Sequence, residues 1–311
     1  MNKIIRIGTR ESQLAVWQAS QVKDLLAENG YAAELVYIKS EGDIDLKTPL
    51  YEMGVQGVFT RSLDAALLND RIDIAVHSMK DVPIQLAVSS VQCAVLKRAS
   101  YKDLLVYKGD SDFLNDLNSP AIIATSSIRR KAQWLHRYPT HTIENLRGNV
   151  NTRLKKVEES DWNGAVFAAA GLERIGLRPK NSIELDWMLP APAQGAIMVV
   201  CRDDDQFCFK ACSAFNDVDT ALCTRIERDF LKALLGGCST PISGLATIEN
   251  VTVNFKGNIF SPDGKQKAEV EMSCSLLDDA GKQALELGNK AAETILKNGG
   301  DKIVARIRDG S

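Results

Sequence analysis

Arginine is the residue type whose positions in this sequence point most clearly to chemistry. Each of six arginines follows a strand-like segment or stands near the start of a helix-like one. Arginine binds a carboxylate or a phosphate through two parallel hydrogen bonds, and helix N-termini add oriented N–H groups. The pattern predicts a site for a polyanion, carboxylate or phosphate alike, although solvated surface arginines are the simpler interpretation of each one alone. The six are Arg10, Arg129, Arg130, Arg147, Arg153 and Arg174.

A carboxylate, Asp81, follows a strand-like run in the segment 75–83. At the carboxyl end of a strand, it is placed to act as a general acid or base, or as the counter-ion of a cation formed in a reaction. A turn carboxylate that hydrogen-bonds its own backbone is the alternative. His77 has no partner nearby in the sequence, and we interpret it as a structural histidine.

One cysteine, Cys238, lies in the run Gly-Gly-Cys-Ser-Thr-Pro at residues 236–241, just past a helix-like segment. Flanking glycines favour an accessible thiol, which covalent chemistry requires. An inert loop thiol is the alternative interpretation.

Strand-like and helix-like patterns alternate along the first two-thirds of the chain, and this predicts βαβ units with largely parallel sheets and helices on both faces. One helix places Ala15, Ala19, Val22 and Leu26 on one face, and Ser126 and Ser127 stand where a helix N-cap belongs. Further helical residues are 61–69, and the strand-like runs are 4–7, 34–39, 72–76, 121–124 and 165–169.

The last third of the sequence follows another pattern. A long helix is predicted over 219–235, and residues 251–255 and 268–275 alternate as strands of an antiparallel sheet do. A final amphipathic helix is predicted over 278–297, ended by Asn298-Gly299-Gly300. These elements predict a small α+β domain.

Composition restricts the class of protein more than its function. A chain of 311 residues predicts two or three domains, and a net charge of −2 gives no overall attraction to nucleic acid or anionic membrane. The sequence has no secretory signal or membrane-spanning segment. Its seven cysteines are irregularly spaced and only three histidines are available, which argues against a zinc site. We therefore expect a cytoplasmic protein with free thiols and no bound metal.

Two functions from different classes fit the arginines. A two-lobed anion-binding protein without catalysis explains the α/β pattern, but it does not explain Cys238, the third domain or the missing export signal. A phosphate-handling enzyme would be expected to carry a phosphate-binding glycine loop, and neither common form of that loop occurs here. On the residues alone, the sequence predicts a soluble α/β polyanion-binding protein.

Seven segments, in order along nearly the whole chain, resemble the porphobilinogen deaminase (hydroxymethylbilane synthase) family. Any one of them is weak, and the seven together are specific. They are residues 7–12, 75–83, 124–130, 146–154, 170–172, 192–196 and 236–238.

The resemblance implies two α/β lobes like those of periplasmic binding proteins, followed by a small C-terminal α+β domain. Domain 1 would comprise residues 1–96 and 197–216, domain 2 residues 97–196, and domain 3 residues 217–311. The chain would cross between the lobes at hinges near residues 97–101 and at Ala196. The family expectation is a monomer.

The resemblance also implies the reaction, in which a transferase joins four porphobilinogen molecules head to tail on a dipyrromethane primer and then releases the linear tetrapyrrole by hydrolysis. Asp81 would be the catalytic carboxylate, protonating the leaving amine and then stabilising the cationic azafulvene. Cys238 would carry the primer through a thioether bond. The other residues implied to bind the cofactor are Lys80, Ser126, Ser127, Arg129, Arg130, Arg147 and Gly148. Those implied to bind substrate are Arg10, Ser12, Arg129, Arg147, Arg153, Arg174 and Gln194.

The chain departs from the family in the segment 53–59, where Gln56 stands in place of a common lysine, and at Glu52, near which a basic residue is frequent. In relatives this loop covers the mouth of the active site. We expect the loss of positive charge to alter substrate affinity or chain release, and to leave the reaction intact.

Overall fold

The computed structural model describes residues 3–39, 60–234, 240–277 and 280–309, and the elements within them fall into three groups, each built on one sheet. The strands are β1 (Ile5–Thr9), β2 (Ala33–Tyr37), β3 (Ile74–Ser78), β4 (Ser90–Val95), β5 (Asp103–Tyr107), β6 (Ile122–Ala124), β7 (Thr142–Glu144), β8 (Gly164–Ala168), β9 (Ser182–Glu184), β10 (Ile197–Arg202), β11 (Ile242–Glu249), β12 (Thr252–Phe260) and β13 (Lys267–Ser275). The helices are α1 (Gln13–Glu28), α2 (Arg61–Leu68), α3 (Ile128–Arg137), α4 (Val150–Glu159), α5 (Ala169–Glu173), α6 (Gln206–Ser213), α7 (Val218–Leu234), α8 (Ala280–Ile295) and α9 (Asp301–Asp309).

The first sheet has the strand order β2-β1-β3-β10-β4 and is covered by helices on both faces. Successive side chains of a strand point to opposite faces. Ile74 and Val76 of β3 therefore enter the apolar core beneath α1 and α6, whereas Ala75 enters the core beneath α2. Burial on both faces explains why β3 and β10 are continuous apolar runs in the sequence.

The second sheet repeats this layout with the order β7-β6-β8-β5-β9. Leu104 and Val106 of β5 enter one core with residues of α4 and α5, and Leu105 enters the opposite core with Trp134 of α3. The first two sheets are thus both sandwiched between helices.

The prediction of largely parallel sheets is confirmed except for one reversed strand in each sheet, β10 in the first and β5 in the second. In the first sheet β1 is parallel to β2 and β3, but β10 is antiparallel to both β3 and β4. In the second, β6 is parallel to β7 and β8, but β5 is antiparallel to β8 and β9. Both β5 and β10 follow a passage of the chain from one sheet to the other, and an apolar run does not reveal the direction in which the chain re-enters.

The third sheet is the antiparallel order β11-β12-β13, with α7 and α8 on one face. Its core includes Phe230 and Phe255, whose rings pack edge to face with 5.0 Å between their centres. Gly288 of α8 lies so close to α7 that a Cβ there would stand 2.2 Å from the Ile226 carbonyl oxygen. The predicted α+β character is confirmed, although β11 and α9 were not predicted. The fold-class prediction of two α/β lobes with a C-terminal α+β domain is confirmed.

The chain passes between the first two sheets twice, and the two passages run side by side. The Ala99 N–H donates to the Gly195 carbonyl at 3.1 Å. Gly195 has a φ of +88°, and a Cβ there would stand 2.7 Å from the Ser100 carbonyl oxygen, so this position requires glycine. The domain boundaries at 96/97, 196/197 and 216/217 stay a prediction.

The thiols behave largely as expected of small buried hydrophobes. Cys274 is partly exposed, and the remaining cysteines among the described residues, Cys93, Cys201, Cys208, Cys212 and Cys223, are buried. Among those same residues no helix is both long and apolar enough to cross a bilayer.

Candidate active site

Lys80 and Asp81 stand at the carboxyl edge of the first sheet. Strand β3 ends at Ser78, and a single 3₁₀ turn, Met79–Asp81, follows it. Buried Gln18 of α1 holds Ser78, because its amide nitrogen donates to the hydroxyl at 2.8 Å and its amide oxygen accepts from that hydroxyl at 3.2 Å. The turn that carries both charged side chains is thus attached to the core of the first sheet.

A buried carboxylate, Asp103, holds two of the predicted arginines. Arg129 Nη1 donates to Asp103 Oδ2 at 2.8 Å, and Arg130 Nη2 donates to Oδ1 at 2.7 Å. Burial alone would raise the pKa of Asp103, but the charges of Arg129 and Arg130 outweigh it and hold that pKa below its ordinary value. Burial lowers the pKa of Arg129, and the charge of Asp103 opposes that effect. The arginines and Asp103 form a desolvated ion cluster at the start of α3.

Gln194 connects this ion cluster to the turn of the first sheet. It is completely buried, and its amide nitrogen donates to Asp103 Oδ1 at 2.9 Å and to the Tyr101 carbonyl at 2.8 Å. Its amide oxygen accepts from Lys80 Nζ at 3.3 Å and from Arg129 Nη2 at 3.5 Å. A neutral side chain with both donor and acceptor ends thus connects Lys80 and Arg129 to the carboxylate of Asp103.

Arg153 of α4 faces the same space from the second sheet. Its Nε donates to the Gly148 carbonyl at 2.7 Å. The pKa of Arg153 is lowered to about 10, first by burial and then by the charges of Arg130, Arg147 and Arg10, while Asp81 opposes them. Four charged groups, which come from both sheets, therefore lie within electrostatic range of Arg153.

The backbone before α4 adopts a conformation that requires glycine. Gly148 has a φ of +114°, and a Cβ there would meet the Thr152 side chain at 2.8 Å. Asn149 then caps α4, because its side chain accepts from the Thr152 N–H. Gly148 thus sets the direction in which the chain leaves Arg147 and enters the helix.

The three predicted serines have local roles at helix starts. Ser12 caps α1 by accepting from the Ala15 N–H at 3.4 Å, and Ser127 caps α3 by accepting from the Arg130 N–H at 3.4 Å. The Ser126 hydroxyl donates to Asn145 Oδ1 at 2.8 Å and to the Leu146 carbonyl. The N-cap predicted at residues 126–127 is confirmed, and the cap itself is Ser127.

Arg174 lies at the junction of the two sheets, beside α1. Its Nη2 donates to the Gly195 carbonyl at 2.7 Å, and its guanidinium carbon lies 5.6 Å from the centre of the Trp17 ring. Burial lowers the pKa of Arg174 to about 10. Gln13 of α1 also accepts from the Asn151 amide of α4 at 3.0 Å. Helix α1 thus touches the second sheet's helices along one edge of the cleft.

The electrostatics of the turn are those of a partly dehydrated cationic site. Burial lowers the pKa of Lys80 to about 8, and the neighbouring charge of Arg130 adds to the effect. Burial, together with the charge of Arg10, lowers the pKa of His77 to about 4, so this histidine is neutral at pH 7. A carboxylate ligand placed here would meet a cationic field little weakened by water.

Sequence reasoning missed two buried side chains that support the site, the carboxylate of Asp103 and the amide of Gln18. Asp103 precedes three apolar residues, and a charge that leads directly into a fully buried strand is the signal that would have pointed to it. Gln18 lies on the buried face of α1 between residues that pack in the core, where a polar side chain needs a partner.

One group of potential metal ligands occurs among the residues described. Asp73, Asp205 and Cys208 have ligand atoms within 4.8 Å of one another. Lys3 bonds to both carboxylates, at 3.3 Å and 3.2 Å. Arg6 also binds Asp73, at 2.9 Å, so cations already neutralise these acids. The expectation that the protein binds no metal stays a prediction.

Comparison with known proteins identifies the family. Residues 5–210 match the family model described as porphobilinogen deaminase, dipyromethane cofactor binding domain, and residues 221–297 match that of the C-terminal domain. A porphobilinogen deaminase of Syntrophotalea carbinolica is 39% identical over 307 residues, covering 97% of this chain and 96% of that one. One of Chlorobium phaeobacteroides is 37% identical, covering 99% of each.

The chain belongs to the porphobilinogen deaminase family.

Remote matches to solved structures also exist. The methionine-binding protein MetQ is 16% identical with a TM-score of 0.42, covering 68% of this chain and 88% of that one. An ancestral cationic amino acid solute-binding protein is 14% identical with a TM-score of 0.42, covering 68% of this chain and 87% of that one.

The residues around Asp81 fit the cofactor of the porphobilinogen deaminase family. Dipyrromethane carries two carboxylates on each of its two pyrroles, and such a polyanion needs several cations. Burial and neighbouring cations lower the pKa of both Lys80 and Arg153, and the carboxylates of such a ligand would oppose that effect. Cys238, Glu52 and Gln56 lie outside the described residues.

Proposed function

We propose that this chain catalyses the porphobilinogen deaminase reaction. Four porphobilinogen molecules condense head to tail, each losing ammonia from its aminomethyl group as a new carbon–carbon bond forms to the free α-carbon of the growing chain. That carbon loses its proton, and water finally releases hydroxymethylbilane. The observation that carries the proposal is the concentration of cations from both sheets around one carboxylate, Asp81, in a chain whose net charge is only −2.

We assign Asp81 the proton transfers of each condensation. Loss of ammonia leaves a cation on the pyrrole, and a fixed carboxylate beside it lowers the barrier because no solvent needs to reorganise. The protonated form of the same side chain would first donate its proton to the leaving amine, and the resulting carboxylate would later take up the proton that the α-carbon loses. Support comes from the position of Asp81 in a turn at the sheet edge, beside Lys80 and within electrostatic range of Arg153.

We assign the carboxylates of cofactor and substrate to the cationic groups of the cleft. Lys80, Ser126, Ser127 and Gly148 would hold the cofactor, and Ser12 and Gln194 the substrate. Arginine suits acetate and propionate groups because its fork of donors matches a carboxylate. The arginines of this proposal are Arg10, Arg129, Arg130, Arg147, Arg153 and Arg174.

The dipyrromethane, attached through a thioether to Cys238, would supply a tethered pyrrole acceptor, and tethering makes each addition effectively unimolecular.

Several finer properties belong to the same proposal. We propose a monomer in the cytoplasm that acts on porphobilinogen and engages neither nucleic acid nor membrane. We also propose domain 1 as residues 1–96 and 197–216, domain 2 as 97–196 and domain 3 as 217–311. The composition of the three sheets supports these boundaries.

An intact mass of the purified protein tests the proposal. We expect an excess mass of two linked pyrroles on the wild-type protein, absent from the variant Cys238→Ala, and total loss of porphobilinogen consumption in that variant. Cys274→Ala is the matched control, because the Cys274 thiol is partly exposed. An unmodified wild-type protein that stays unmodified and inactive after incubation with porphobilinogen would refute the proposal in favour of a non-catalytic anion-binding protein.

A further inference from the structure

A single arginine of α7 reaches across to the segment that carries Asp81. Arg228 Nη1 donates to the Val82 carbonyl at 3.0 Å and to the Met79 carbonyl at 3.4 Å. Its Nη2 donates to the Pro83 carbonyl at 2.5 Å and to the Ile84 carbonyl at 3.2 Å. The four acceptors belong to residues on both sides of Asp81.

These four hydrogen bonds hold the part of the turn that lies beyond its backbone pairing with the sheet. Strand β3 ends at Ser78, and the last backbone hydrogen bond to the neighbouring passage is that from the Met79 N–H to the Ala196 carbonyl at 3.0 Å. The turn has its own bond from the Val82 N–H to the Met79 carbonyl at 3.2 Å, and Pro83 has no N–H to donate. A planar guanidinium that gathers carbonyls from residues 79 to 84 therefore determines the direction in which Lys80 and Asp81 project.

Helix α7 is itself held firmly, so Arg228 transmits a fixed position. The adjacent Glu227 is completely buried and binds Arg98 through two hydrogen bonds, at 2.6 Å and 3.1 Å. It also accepts from the Ala193 N–H at 2.6 Å and the Ala246 N–H at 2.8 Å. One turn of α7 is thus anchored to both passages between the sheets, to the third sheet, and to the Asp81 segment.

We propose that Arg228 is a positioning residue for Asp81. It holds the carboxylate at a set place relative to α7, the helix that leads towards Cys238, without touching substrate itself. This inference rests on the proposed function. It predicts that loss of Arg228 lowers the turnover number and leaves the binding of porphobilinogen nearly unchanged, because the arginines assigned to the substrate carboxylates lie outside the segment that Arg228 holds.

The kinetic test compares Arg228→Met, Arg228→Lys and a control on the same helix, Arg225→Met. Arg225 is exposed and pairs only locally with Asp229 at 2.6 Å. Counted per molecule that carries the cofactor mass, Arg228→Met should lower kcat about 10- to 100-fold with KM changed less than about threefold. Arg228→Lys keeps one charged donor group and should recover part of kcat, and Arg225→Met should match wild type. Wild-type kcat per loaded molecule in Arg228→Met would overturn the proposal, as would a rise in KM with kcat unchanged.

A second measurement does not depend on turnover. In Arg228→Met the backbone amides of residues 79–82 and of Ile84 should exchange with solvent faster than in wild type, while those of β3 keep their protection. Equal rates of amide exchange for this segment in both proteins would overturn the proposal that Arg228 holds it in place. A wild-type protein that neither carries the cofactor nor consumes porphobilinogen would instead defeat the proposed function, and the exchange result would still decide whether Arg228 holds the turn. If Arg228→Met does not fold, Arg228→Lys carries both measurements, with smaller expected shifts.

Discussion

Two sets of arginines face the candidate site, and they differ in what balances their charge. Arg129 and Arg130 share the carboxylate of Asp103 at 2.8 Å and 2.7 Å, deep in the second lobe. Arg153 and Arg174 donate instead to the main-chain carbonyls of Gly148 and Gly195. A carbonyl satisfies a hydrogen bond but cancels no charge. Asp103 therefore cancels one of the two positive charges of the first set, whereas the carbonyls cancel neither charge of the second set.

The charge partner of each arginine therefore distinguishes a structural role from a ligand-binding role better than its place in the fold does. All four arginines stand beside helices at the cleft, and all four are wholly or largely dehydrated. We expect changes at the pair that shares Asp103 to act first on stability, and changes at the pair that binds carbonyls to act first on affinity for a carboxylate ligand.

The largest effect is expected from Asp103→Asn. Removing the charge leaves two buried guanidinium groups without a counter-ion, and such a change costs about 3–5 kcal/mol. Because the folded-state pKa of Asp103 lies below its unfolded value of 3.8, its stabilisation is complete above about pH 4 and is lost as the pH falls through the folded pKa. Denaturant unfolding at pH 7 measures the change, with exposed Asp161→Asn as the control. A loss below about 1 kcal/mol would mean that Asp103 does not neutralise the arginines.

An intermediate effect is expected from Arg153→Met. Losing a charge-assisted contact to a carboxylate should raise KM for porphobilinogen about 10- to 100-fold. The free energy of unfolding should change by less than about 1 kcal/mol, since burial already disfavours this charge in the absence of ligand. Lys155→Met, on the same helix and paired only with Glu159 at the surface, is the control. A variant that loses stability as Asp103→Asn does, with KM unaltered, would remove the distinction between the two sets.

The smallest effect is expected from pH acting on Lys80. Its pKa is lowered to about 8, so this cation loses its proton as the pH rises through 8 and no longer attracts a carboxylate. The rate at which the cofactor-free protein takes up its cofactor from porphobilinogen should fall about tenfold between pH 8 and 9.5, because this pKa applies to the site without a bound carboxylate. In Lys80→Arg the fall should move to higher pH, and comparing both proteins with one substrate cancels the titration of the substrate. The same decrease above pH 8 in the wild-type protein and in Lys80→Arg would show that the charge of Lys80 does not contribute.

Much of the site's placement follows from local sequence. Ser127 begins α3, and the first turn of that helix then carries Arg129 and Arg130 wherever the helix packs. Asp81 follows the buried strand β3, so it stands at the sheet edge. These inferences need only the residues beside each other in the chain.

The supporting contacts could not be read in the same way. Arg228 and the carbonyls that it binds are about 144 to 149 positions apart, and Asp103 and Gln194 are 91 apart. The partner of a buried charge depends on which elements pack together, which local patterns do not encode. The direction of β10 was missed for a related reason, because an apolar run reads the same in a parallel and in an antiparallel strand.

The place of β10 in the first sheet has a consequence for how the protein is made. This strand lies between β3 and β4, yet it is synthesised only after every strand of the second sheet, which is continuous from Asp103 to Glu184. On the ribosome, all strands of the second sheet are therefore available while β10, which joins β3 to β4, has not yet been synthesised. The N-terminal lobe, although translated first, is the later of the two to finish folding. During that interval its unpaired strand edges are the part of the nascent protein most in need of chaperone protection.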